Sequence, residues 1–137
     1  GYLGNSVGAQ LPDLFLLLAE ARARVNDLPG AQEALIALRS KRMPTATAAD
    51  VPQTQEALIR FIIDERRREF ATLGFRWFDM RRLSVDPLFA ADGTTYTHTV
   101  YDAEGNVSAT HTLKPERFVL RFSEKLMLQS PNLENNP

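Results

Sequence analysis

The sequence predicts a mostly α-helical chain built from a helical pair, a long broken helix and a small β-hairpin. Three observations predict it. Apolar residues step by four and three through residues 14–28 and again through residues 59–80, the spacing of one helix face. Asn, Asp, Pro and Gly clusters separate these stretches. From Gly93 the pattern changes to alternation, the period of a strand.

The 137 residues are about one domain's worth. Sixteen basic against seventeen acidic residues give a net charge of −1, so no global field invites nucleic acid or a membrane surface. Without cysteine there is no disulfide framework and no thiolate metal site. The longest apolar run, Leu14 to Ala19, is far too short to span a bilayer. No signal peptide is visible and the first residue is not Met, so the chain is expected to be a piece of something longer.

Residues 1–10 are polar and Gly-rich, a predicted loop. Leu14, Leu18, Ala21, Val25 and Leu28 define a first helix from about Pro12, with Asp13 favouring its positive end. Asn26-Asp27 to Pro29-Gly30 is a stop-and-restart signal. A second helix follows through Ala31, Ala34, Leu35 and Leu38 to about Arg42, and the short turn makes the pair (11–42) antiparallel. Residues 43–49 are a predicted linker. Asp50 and Gln53 have the spacing of a capping box, which would start the long helix of residues 50–83. Gly74 is expected to break that helix. Its stripe holds Ile59, Ile63, Arg66, Phe70, Leu73, Trp77 and Met80, with Asp64, Glu65, Glu69, Asp79 and the other arginines on the remaining faces. Arg66 on an apolar stripe must snorkel or find a carboxylate. In the region 93–123, residues 95–101 and 107–113 form a predicted hairpin around the loop Asp102 to Asn106. Phe118 to Phe122 is a possible third strand, and residues 124–137 are the tail.

Two resemblances follow from these residues. LLAEARARVNDLPGAQEALIALR resembles one tetratricopeptide unit, with small Ala21 and Ala34 where such helices approach closely. One unit cannot bury its own face, so neighbours are expected. ERRREF, a glycine and RWFDMRR resemble the C-terminal signature of the RagB/SusD family, in which ERRxEL precedes EGxRWxDLxR. The positions that carry it are Glu65, Arg66, Glu69, Gly74, Arg76, Trp77, Asp79 and Arg82; Phe70 replaces the usual Leu, and Leu73 the Glu before the glycine. LPDLFLLLAEA and LIALRSKR fit the family's earlier helices, and the tail SPNLENNP fits its closing NPNLxQNP. Arg121-Phe-Ser123 stands where the family often has Pro-Ile-Pro, and Leu126 where it has Glu.

The resemblance implies a SusD-like C-terminal region of a Bacteroidetes outer-membrane lipoprotein, anchored by an N-terminal lipid outside this chain. Such a protein binds a nutrient, usually a glycan, at the cell surface beside a SusC-like TonB-dependent transporter. It implies no enzymatic activity and no cofactor. The family's ligand sites are built largely from upstream loops and insertions, so this piece is expected to bind sugars weakly or not at all. The alternative is a helical-repeat interaction scaffold without a small ligand.

No residue pattern argues for catalysis. The carboxylates Asp64, Glu65 and Glu69 lie among seven arginines between residues 60 and 82, and arginine partners depress carboxylate pKa, which spoils a general acid and competes with a metal. The same segment has a net charge of only +3 with acids interleaved, unlike a nucleic-acid stripe. His98 and His111 are predicted to face each other across the hairpin, too few ligands for a standard zinc site. Among the aromatics, Trp77 is expected in the core. Tyr96 and Tyr101 remain as weak ligand candidates, and their opposite parity places at most one on a given surface.

Overall fold

The computed structural model describes residues 10–90 and 96–136. It divides into two compact units, Gly1–Arg76 and Trp77–Pro137.

In the first unit, α1 (Leu11–Arg24) and α2 (Leu28–Arg39) form the helical pair, α3 (Thr45–Ala49) is one short turn, and α4 (Gln55–Glu69) is the long helix. The turn between α1 and α2 is local chemistry. Asn26 takes a left-handed φ of 65°, which Asn tolerates better than most residues, and Asp27 caps α2 by accepting from the Gly30 amide at 3.1 Å. A side chain at Gly30 would run into that Asp27 carboxylate.

α1 packs on both α2 and α4. Leu16, Leu35, Leu58 and Ile62 are the largest fully buried side chains, and Ala19, Ala23, Ala31 and Ala34 let the helices approach closely. The predicted helix is therefore present, but its buried face is not the predicted one. Leu14, Leu18, Ala21 and Val25 are exposed, whereas Leu16, Ala19, Glu20 and Ala23 are buried. α1 carries apolar residues on two opposite faces, and the face with the smaller side chains turns inward because two helices must reach it.

Three further expectations are corrected in this unit. The linker at residues 43–49 contains α3, whose terminal carbonyls are held by Arg39. The capping box is absent: Asp50 ends α3, and α4 starts at Gln55 with Thr54 at its N-cap and no side-chain cap. Gln53 instead donates to the Val51 carbonyl at 2.8 Å. The break in the long helix comes earlier than Gly74, at Phe70, and passes through two left-handed residues, Thr72 (φ 68°) and Gly74 (φ 80°). Leu73 is exposed there, off the stripe. Phe70 and Phe75 stack across the break with ring centroids 4.4 Å apart.

Helix α5 (Phe75–Leu83) follows, and the unit boundary falls within it. The second unit continues with α6 (Pro87–Ala90) and the hairpin of β1 (Thr97–Tyr101) and β2 (Val107–Thr112). The hairpin lies where the alternation places it, although its predicted start, residues 93–95, falls outside the described residues. β1 and β2 are antiparallel, with His98 opposite His111 and an irregularity at Tyr101. Asp102 shapes the loop by accepting from the Glu104 and Asn106 amides at 3.1 and 2.8 Å. The third strand does not form: Pro115–Phe118 is a 3₁₀ turn, and residues 119–123 are irregular up to α7 (Glu124–Gln129). The backbone groups of Phe122 are taken by the tail instead, through the Asn135 side chain at 2.8 and 3.3 Å.

Candidate functional site

The signature segment contributes differently to each unit. In the first, three of its residues on α4, Glu65, Arg66 and Glu69, reach partners beyond their own helix. Glu65 accepts from Arg39 Nη1 of α2 at 2.7 Å, in a pair whose side chains are each 8% exposed. Arg39 has its other donors on the Ala48 and Thr47 carbonyls at 3.1 and 3.0 Å, and its guanidinium lies 4.8 Å from the Phe61 ring centroid. A buried guanidinium is tolerated here because each nitrogen has an acceptor.

One turn on, Glu69 accepts a two-pronged contact from Arg42, with Nη2 at 2.6 Å and Nε at 3.1 Å. The hydrogen bonds that Arg42 donates to Glu69, followed by the charge of Glu69, hold the Arg42 guanidinium above its usual range. Arg66 reaches the other helix and pairs with Asp13 of α1, while its guanidinium sits 5.5 Å from the Phe70 ring centroid. The buried stripe arginine therefore has its carboxylate, as expected. Arg67 points to solvent and, among the described residues, reaches Asp64 at 3.8 Å. The signature glutamates and Arg66 thus tie α4 to both helices of the pair.

The expected neighbour pairs on α4 and α5 form: Arg68 with Glu65 at 2.7 Å and Arg82 with Asp79 at 2.9 Å. Their setting differs from expectation. The spacing sets Glu65 and Asp79 on faces away from the apolar stripe, yet both are buried, at 6% and 4% exposure. A carboxylate with an arginine partner in reach can enter a core that an unpaired one cannot.

In the second unit the aromatic residues gather around Phe118, which is buried. Trp77 meets it edge-on at 5.5 Å and Tyr96 at 5.7 Å. Trp77 is half-buried rather than fully in the core. Tyr96, also half-buried, donates its hydroxyl to the Met80 carbonyl at 3.1 Å. Tyr101 is 61% exposed on the hairpin. The structure thus separates the two ligand candidates, one packed and one free. Arg76 is half-buried at the start of α5, and Gly74 supplies the left-handed turn before it.

Sequence reasoning missed the partners Asp13, Arg39 and Arg42, which lie 53, 26 and 27 residues from the groups they pair with. No local pattern joins such positions. It also missed Phe78, Arg81 and Phe118. Phe78 and Arg81 line an open groove of about 490 Å³ beside α5. His98 and His111 are both exposed, and the described residues contain no group of three or more His, Cys, Asp or Glu able to hold a metal. No helix among them is long and apolar enough to cross a membrane.

A comparison with family models matches residues 11–128 to the SusD family. Comparisons with curated proteins and with solved structures return no match. The matched span takes in the helical pair, the broken helix whose glutamates and arginine tie that pair together, and the hairpin; the chain belongs to the SusD family.

Proposed function

We propose that this chain is the C-terminal portion of a cell-surface lipoprotein that binds a nutrient, a glycan or oligosaccharide, and delivers it to a SusC-like TonB-dependent transporter of the outer membrane. The family match over residues 11–128 carries this reading, since proteins of that family bind nutrients at the cell surface rather than transform them. In it, the ion-paired helical pair and α4 are scaffold, and ligand contact falls to exposed aromatic and polar groups. Of the two tyrosines, Tyr101 has the accessible ring, whereas Tyr96 is held by Met80 and Phe118.

A second reading, a helical-repeat interaction scaffold without a small ligand, is favoured by one observation. The outward face of α1 carries Leu11, Leu14, Leu18 and Val25 at 66%, 50%, 44% and 77% exposure, an uncharged stripe suited to another helix. Fractionation separates the two. Under the first reading the full-length protein is recovered from outer membranes together with a TonB-dependent transporter. Recovery from the cytoplasm with no transporter sinks it and leaves the scaffold.

A further inference from the structure

We propose that the groove beside α5 is a contact site for an anionic saccharide, one bearing a carboxylate, held by the Phe78 ring and the Arg81 guanidinium. The proposal rests on the glycan-binding reading above and adds the chemical class of the ligand. The groove lies wholly within the second unit, and Phe78, Arg81, Ser84, Val85 and Val119 form most of its lining.

Its chemistry is mixed in the way a charged sugar requires. Phe78 is 70% exposed and Val85 81%, so an aromatic face and an apolar wall stand open to solvent. An exposed ring of this kind takes the apolar face of a pyranose by burial and dispersion. Arg82 also lines the groove, but it is committed to the buried Asp79 at 2.9 Å, so that charge is neutralised locally. Arg81 is exposed and has no carboxylate partner among the described residues. An unpaired guanidinium next to an exposed ring selects a planar carboxylate two-pronged, the geometry Arg serves better than Lys. Ser84 donates its hydroxyl to the Arg81 carbonyl at 2.8 Å, which leaves its oxygen to accept from a sugar hydroxyl. A single open contact site of this size gives weak, roughly millimolar, binding, because little of the ligand is enclosed.

The test is an NMR titration of the 137-residue chain with an oligogalacturonide, run beside a neutral galacto-oligosaccharide of equal length. The uronide is expected to shift the Phe78 ring and Arg81 side-chain signals, less so as salt is raised. The neutral sugar is expected to bind about tenfold more weakly, and the uronide about tenfold more weakly to Arg81→Gln and to Phe78→Ala, the scale of one charge-assisted contact or one aromatic contact. Both side chains are exposed, so both variants should melt like the parent. Equal shifts with the neutral sugar, or uronide binding unchanged in both variants, overturn the proposal. So does the absence of any shift at these residues. If the full-length protein binds neutral glycans but not uronides, this proposal alone falls; if it binds no saccharide at all, the wider reading falls with it.

Discussion

The two halves of the signature, ERRREF and RWFDMRR, use similar residues to opposite ends. In the first, Glu65 and Arg66 reach partners on α2 and α1 and Glu69 reaches Arg42 just beyond α2, and the Arg39–Glu65 and Arg66–Asp13 pairs are largely withdrawn from water. In the second, Arg82 pairs with Asp79 within the same helix, while Phe78 and Arg81 stand in solvent. A charge with a long-range buried partner is architecture. A charge or ring without one is available to something else.

The largest expected effect tests the architectural half. Glu65→Ala leaves the buried Arg39 with carbonyl partners only, and is expected to destabilise the chain by about 3–5 kcal/mol in urea unfolding followed by circular dichroism. A loss no greater than that of an exposed pair would erase the distinction between the halves. Phe118→Ala tests the other half through packing, at about 3 kcal/mol for a large buried ring. The only tryptophan, Trp77, loses its edge contact, so its emission should shift to the red and acrylamide should quench it more. Unchanged fluorescence would show that Phe118 does not organise the aromatic cluster.

Arg66→Ala comes next, at about 2 kcal/mol, because the Asp13 left behind is partly exposed and can be hydrated. An unchanged melting temperature would mean that the stripe arginine holds nothing. The smallest effect concerns the hairpin loop. The Asn106 amide above all, with further loop donors, holds the Asp102 carboxyl below its usual range. A depressed carboxyl stabilises the loop above its unfolded pKa, about 4, and that contribution is lost as pH falls through the lower folded value. The Asn106 amide resonance should therefore stay constant from neutral pH to about pH 4 and move only below it. Movement at higher pH would place the cause elsewhere.

By itself the sequence determined the helical pair, the long broken helix, the hairpin with its Asp102–Asn106 loop and its histidine pairing, and the family signature. Each of these rests on short-range rules: side-chain period, turn residues and neighbouring charges on one helix. It also required a carboxylate for Arg66, since an unpaired guanidinium on an apolar stripe is too costly to bury. What it left to tertiary structure was which of two apolar faces of α1 turns inward, which carboxylate Arg66 takes, and that Glu65 and Asp79 enter the core. The short α3 and the loss of the third strand were settled there too, by Arg39 and Asn135 claiming backbone groups from a distance. The physical reason is common to all of them. Burial and pairing depend on what lies across the fold, and partners eight to 53 residues away leave no trace in a local pattern.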